Sequence, residues 1–362
     1  MATQLTQDQP AQIDEQKVVA FVHQALGELG ATLNAALVVI GDQLGLYAAM
    51  AGAGPITAAE LAERTGTSER YVREWLNAQA AGGYVTYEPD GERYTLPAEH
   101  AMVLADEASP WFMPGAFQLM TASAGDHAQI AEAFRSGAGV GWHEHSHGVF
   151  EGCERFFRPG YAAHLCTEWI PALEGVEAKL RDGGRVADVG CGHGASTILM
   201  AQTYPDATVT GFDYHDGSIA VARERARAAG VADRVTFEVA PASTYPGGGY
   251  DLVTTFDCLH DMGDPVGAAR HVRSTLADGG TWMIVEPFAN DRTEDNLNPI
   301  GRIYYAASTL LCTPASLSQE VGLALGAQAG ETRLRDVVTA GGLTHFRRAA
   351  ETPFNLVFEA RA

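Results

Sequence analysis

The chain has 362 residues, 46% of them hydrophobic and 19% charged, and 45 acidic against 24 basic side chains leave a net charge of −21. That balance excludes a basic nucleic-acid footprint over the chain as a whole, and an anionic membrane surface would repel it. The length exceeds one ordinary core and suggests two or three domains. The five cysteines, Cys153, Cys166, Cys191, Cys258 and Cys312, contain no CxxC pair, so neither a disulfide framework nor a zinc site is indicated and a reducing compartment is expected. The polar first sixteen residues lack a basic start followed by an apolar stretch, which predicts a cytoplasmic protein. Apolar runs such as Ala35 to Ile40 fall far short of the ~20 residues that cross a bilayer.

From Glu15 to Met50, Val18, Val19, Val22, Leu26, Leu29, Leu33, Leu37 and Ile40 recur at three- and four-residue steps and predict amphipathic helices. So apolar a face at the start of the chain predicts packing against another subunit. Thr57 is placed to cap one helix and Thr67 or Ser68 a second. Tyr84 to Tyr87, a turn at Glu88-Pro89-Asp90-Gly91, and Glu92 to Leu96 then read as a hairpin. Helix, turn, helix and hairpin spell a winged helix, the form best known in DNA binding. Charge argues against that use: residues 1–110 hold five Lys and Arg against fifteen Asp and Glu, a net of −10. Phosphate contacts dominate DNA affinity, so an acidic reader is a poor one.

Residues 109–180 read as helical, with a Gly137-Ala-Gly-Val-Gly141-Trp-His-Glu-His-Ser-His147 stretch. From Gly184 strands and helices alternate, which predicts a parallel, doubly wound sheet. Residues 287–330 interrupt the alternation and predict a helical insertion over the sheet's carboxyl edge, where ligands bind. The last two predicted strands are joined by the short turn Glu351-Thr352-Pro353, so the final strand must be antiparallel.

Val186-Ala-Asp-Val-Gly190-Cys-Gly192-His-Gly194 is a strand entering a glycine turn, where backbone must approach a ligand closely. Gly190-x-Gly192-x-x-Ala195 also satisfies a dinucleotide fingerprint. Asp188, however, would suit a cation and repel a pyrophosphate; Asp213, ending the next strand, is placed to accept two ribose hydroxyls; and a terminal antiparallel hairpin is foreign to a plain dinucleotide fold. On these residues, 184–362 resembles a class I S-adenosylmethionine-dependent methyltransferase. With its winged helix, and with Phe256-Asp-Cys-Leu-His260-Asp-Met-Gly-Asp264, Ala307-Ser-Thr-Leu-Leu-Cys312 and Glu351-Thr-Pro-Phe-Asn355, the whole chain is similar to a bacterial group with an N-terminal winged-helix-like dimerisation domain.

The resemblance implies an α/β Rossmann-like seven-stranded sheet with a terminal antiparallel hairpin, plus a mainly α winged-helix domain. The expected boundaries are a dimerisation domain over 1–108, a helical linker contributing to the acceptor pocket over 109–183, and a cofactor domain over 184–362 with its insertion at about 287–330. It implies S-adenosyl-L-methionine as cofactor, a homodimer, and no nucleic-acid or membrane partner. Asp188, Gly190, Gly192 and Gly194 would meet the methionine and ribose, Asp213 the ribose hydroxyls, and Tyr214 the adenine. The family's Gly-Asp-Ala after the third strand is here Ala240-Pro241-Ala242, so adenine recognition leans on backbone near Ala242 and Ser243. Phe256 and Asp257 would face the methionine amine through their backbone.

His260 resembles the histidine with which dimeric O-methyltransferases deprotonate a hydroxyl, a task suited to imidazole near neutral pH. Glu286 is the nearest analogue of the acid that positions it. A histidine here also serves in many such folds only to pack or orient the loop. Trp142, His143, His147, Tyr304, Tyr305 and Ser308 are candidate acceptor-site residues, or else helix packing. His143, His145 and His147 would share a face in a strand and could then ligate a metal, but no partner stands at convincing spacing and no metal is expected. Cys191 reads as a small filler. Small-molecule methyl transfer, most readily to a hydroxyl, is the leading reading; a ligand-sensing winged-helix regulator and a nicotinamide-dependent oxidoreductase are the alternatives.

Overall fold

The computed structural model describes residues 13–362, which divide into two compact units with the division between Ala105 and Asp106. In the first, Asp14 starts α1 (Glu15–Gln43) by accepting the amide protons of Gln16 and Lys17 at 3.0 and 3.3 Å. The periodic run is thus one continuous helix, ended where Gly45 takes φ +67° before α2 (Leu46–Met50). Only Val38 and Gly41 of α1 are buried. By length and composition alone α1 is also long and apolar enough to cross a membrane.

Thr57 and Glu60 form a reciprocal capping box at α3 (Ala58–Thr65), and α4 (Glu69–Ala81) follows from Ser68. The hairpin is β1 (Thr86–Glu88) with β2 (Arg93–Thr95), succeeded by α5 (Ala98–Leu104). A buried amide joins three helices: Gln79 accepts from Tyr47 Oη and donates to Asn34, each at 2.7 Å. On α4, Arg70 pairs with Glu74 and Arg73 with Glu69, both at 2.6 Å, so these cations are internally matched.

In the second unit α6 (Pro114–Gly125), α7 (His127–Ser136), α8 (His147–His164) and α9 (Val176–Arg181) precede the sheet. Then come β3 (Arg185–Val189), α10 (Ala195–Thr203), β4 (Thr208–Asp213), α11 (Asp216–Ala228), β5 (Val235–Val239), β6 (Tyr250–Phe256), α12 (Pro265–Thr275) and β7 (Leu276–Pro287). The insertion holds α13 (Pro299–Ala307), a π-helical turn over Ser308–Cys312 and α14 (Thr313–Leu317); α15 (Gly330–Ala340), β8 (His345–Glu351) and β9 (Asn355–Arg361) close the unit. The seven strands lie in the order β5-β4-β3-β6-β7-β9-β8, with β9 antiparallel to both neighbours. The chain moves outward from β3 in one direction and from β6 in the other, so the loops after these adjacent strands diverge and open a crevice.

Helices α6 and α8 touch through glycine. A Cβ on Gly152 would stand 2.4 Å from the Leu119 nitrogen, and one on Gly115 2.5 Å from the Arg155 carbonyl carbon. Gly152→Ala therefore lowers stability by ~1–3 kcal/mol through overpacking, which outweighs the ~0.5–1 kcal/mol that alanine gains in helix propensity. Urea unfolding of the variant beside the parent measures this, and equal midpoints would refute so close an approach.

Candidate active site

The glycine turn after β3 is pinned to the end of β4, where the Phe212 carbonyl accepts the amide protons of Gly190 and Cys191 at 2.8 and 3.0 Å. Gly190, Gly192 and Gly194 adopt φ of +76°, +51° and +79°, a region other residues enter at a cost. They serve different purposes. A Cβ on Gly190 would strike Cys258 Sγ at 2.7 Å and one on Gly194 the Phe237 ring at 2.7 Å, whereas one on Gly192 would meet nothing within 4 Å. Open space thus lies above Gly192, where backbone can approach a ligand. Cys191 is buried beside Gly211 and its thiol is pushed well above its usual value by burial, so it is a filler and not a nucleophile.

Asp213 borders that space. One oxygen accepts the Gly192 amide proton and the other that of His215, both at 2.9 Å, which leaves each oxygen a further lone pair for a diol. Burial pushes its carboxyl up, and the two amides oppose that push. Tyr214 is half exposed beside it, Ala242 is half-buried and Ser243 exposed after β5. Asp188 departs from expectation. It is completely buried and accepts from Ser196 at 2.7 Å, Thr197 at 2.6 Å and Thr254 at 2.8 Å. Its carboxylate therefore braces β3, α10 and β6 and does not face the crevice.

After β6, Phe256 is buried against Tyr161, and Asp257 has φ +49°, uncommon for a residue with a side chain. Asp257 is held by Asn355 Nδ2 at 2.8 Å and Tyr161 Oη at 3.3 Å. Asn355 belongs to the Glu351–Asn355 turn, whose contact with the crevice no local pattern announced. The next turn carries His260, 3% exposed, with Nδ1 2.6 Å from Glu286 Oε2; Glu286 Oε1 also accepts the Leu259 amide proton at 3.0 Å. Nε2 lies 3.2 Å from Asp261 Oδ1. Burial works against charge on this imidazole, but Glu286 and Asp261 outweigh it and hold its pKa well above the usual range. Cys312, delivered by the π-helical turn, brings its sulfur within 4.8 Å of the His260 and Asp261 ligand atoms. Burial pushes its thiol up to about 12.

The acceptor-side candidates divide. Trp142 is half-buried and edge-on to Phe150 at 5.9 Å, and Tyr305 is half-buried. Two expectations are corrected: Tyr304 donates its hydroxyl to the Phe354 carbonyl at 2.8 Å, and Ser308 accepts the Ala327 amide proton at 3.1 Å, so both polar groups tie the insertion down. The alternating histidines form no strand. His143 lies in a 3-10 turn and His147 begins α8, both exposed, whereas His145 between them is buried and its Nδ1 meets Asp126 Oδ2 at 2.8 Å. The pairing of His145 with Asp126 is one that spacing alone did not reveal.

These features fit an S-adenosyl nucleoside: open space above a glycine turn and a carboxylate with lone pairs for two hydroxyls. Residues 32–106 match the family described as an Rv2258c-like winged HTH domain, and residues 180–320 match a methyltransferase domain. The 27-O-demethylrifamycin SV methyltransferase of Amycolatopsis mediterranei is 40% identical over 103 residues, 28% of this chain and 38% of that protein. The ubiquinone biosynthesis O-methyltransferase of Bordetella avium is 35% identical over 134 residues, 36% of this chain and 52% of that protein. The chain thus spans about half or less of the length of these curated relatives. Human N-acetylserotonin methyltransferase, solved in complex with S-adenosylmethionine, has the same fold, with a TM-score of 0.69 at 16% identity over 98% of this chain and 99% of that one. The chain thus carries a winged HTH domain of the Rv2258c-like kind over residues 32–106 and a methyltransferase domain over residues 180–320.

Proposed function

We propose that the chain methylates a hydroxyl of a small molecule, with the His260–Glu286 pair as the proton-accepting unit; the 2.6 Å bond between them is the observation that carries this reading. S-adenosylmethionine, when bound, supplies an electrophilic methyl group on a sulfonium. Gly190, Gly192 and Gly194 would admit its methionine and ribose, Asp213 its ribose hydroxyls, with Tyr214, Ala242 and Ser243 near adenine and the Phe256–Asp257 backbone near the amine. Asp188 supports this cradle from behind. A carboxylate only accepts, so Glu286 requires the proton on Nδ1 of neutral His260 and reserves the Nε2 lone pair for an acceptor hydroxyl. Asp261, on that same nitrogen, must yield before the hydroxyl can reach it. Trp142 and Tyr305 remain as acceptor-wall residues.

Asp213→Ala weakens cofactor binding roughly ten- to a hundredfold, since charge-assisted hydrogen bonds contribute ~1.5–3 kcal/mol. Calorimetry with S-adenosylhomocysteine reads this directly, and unchanged affinity removes Asp213 from the site.

The pH dependence follows from the carboxylates around His260. Its pKa is raised, so the base form appears only as pH climbs through that raised value. The rate on a hydroxyl acceptor therefore rises at pH above the ordinary imidazole range, and Asp261→Asn, by removing one carboxylate, moves that rise to lower pH. His260→Ala cuts kcat by ~10²–10⁴, with partial recovery at high pH as the acceptor ionises unaided. Near-normal turnover by His260→Ala on a hydroxyl acceptor leaves His260 a packing residue.

We further propose a homodimer through α1. Phe21 is 68% exposed, Leu29 63% and Leu33 73%, and an apolar groove of about 370 Å³ lined by Leu37, Ile40, Leu44, Tyr71 and Trp75 continues this face. An apolar surface of that extent favours a partner. Light scattering at micromolar concentration yields twice the chain mass, and Leu29→Glu lowers it; a monomeric parent overturns the proposal.

A further inference from the structure

His145 is the one member of the alternating histidines withdrawn from solvent, its side chain having no exposed surface. Asp126, immediately before α7, fixes Nδ1 at 2.8 Å, and the Trp142 ring stands edge-on at 6.1 Å. A carboxylate only accepts, so neutral His145 carries its proton on Nδ1 and a lone pair on Nε2. That Nε2 is buried and meets no donor from the protein. A native fold rarely leaves a buried polar atom in that condition unless a ligand or water completes it.

Position gives the orphaned nitrogen a purpose. The Val140 amide donates to the Pro314 carbonyl at 3.0 Å, and Gly139 seats against Ser318 with no room for a Cβ, so the strand of chain leading to His145 is fastened onto the insertion. That same stretch of the insertion presents Cys312 to His260 and Asp261. Burial pushes the Asp261 carboxyl up, and the imidazoles of His260 and His145 both oppose that push, so both rings lie within electrostatic reach of that carboxylate. Asp261 Oδ1 is itself without a well-angled hydrogen-bond donor, despite its 3.2 Å approach to His260. The site thus offers two buried acceptor atoms beyond the proton-accepting nitrogen. With Glu286, Asp257 and Asp261 around it, an anionic acceptor is disfavoured and a neutral one bearing several O–H donors is matched.

Resting on the methyl-transfer reading, we infer that His145, held by Asp126, is a second anchor for the acceptor, and that the acceptor carries two adjacent hydroxyls, one presented to His260 and the other donating to His145 Nε2. His145 is then a specificity-determining residue: it selects catechols or vicinal diols over the corresponding mono-ols.

The test is equilibrium binding of 4-tert-butylcatechol and 4-tert-butylphenol to the full-length protein loaded with S-adenosylhomocysteine. The parent binds the catechol at least about tenfold more tightly. His145→Asn keeps a polar group toward Asp126 while deleting Nε2, and it brings the two affinities together; the ratio within one variant is insensitive to the fraction of protein that folds. Equal affinities in the parent, a preference that survives His145→Asn, or no binding of either probe each overturns the inference. A catechol that binds with this preference yet is not methylated on addition of S-adenosylmethionine removes the hydroxyl-methylation reading and leaves the His145 anchor standing.

Discussion

The bond between Glu286 and His260 joins the end of β7 to the loop after its neighbour β6, and the proposed acceptor side of the site is organised around it. Glu286 holds that loop twice, through the imidazole and through the Leu259 amide, so the turn has little freedom to swing its histidine away. A doubly engaged buried carboxylate is a rigid reference point. The π-helical turn that presents Cys312 and the insertion seated beneath residues 139–140 are arranged about the same imidazole.

Carboxylates recur around the crevice, but they are not equivalent. Asp188 is solvated by three hydroxyls and stiffens the junction of β3, α10 and β6. Asp213 is held by two amides and keeps capacity for a ligand. Asp257, bound by Asn355 and Tyr161, fixes a backbone conformation at φ +49° that the following turn depends on. A buried acid is tolerated only where donors converge on it, and the number of donors already engaged decides which acid can still receive something new.

That distinction explains what was legible in the sequence. The glycine turn, Asp213 and the His260 loop are local: each is encoded within a few residues of a strand end, and the sheet order follows from alternation and handedness. The capping box at Thr57 and the hairpin after it were legible for the same reason. Illegible were the partners contributed from a distance. Nothing near Tyr304 in the chain foretells that its hydroxyl reaches the carbonyl of Phe354, and nothing near Asp188 counts the hydroxyls that enclose it. The apolar face of α1 was legible too, because a helix gathers residues three and four apart onto one side, whatever the continuity of apolar runs in sequence.

The histidine stretch shows the same limit most sharply. Alternation would put all three rings on one side only in a strand, and the 3-10 turn over Trp142–Glu144 excludes that. Once the stretch folds as turn and helix start, residues two apart face different ways: His145 is drawn inward against Asp126, whereas His147 meets Glu151 at 3.3 Å and stays exposed. Asp126 lies 19 residues earlier. The surroundings of His145 thus include a carboxylate from before α7, a partner across intervening chain that the spacing of the histidines does not announce.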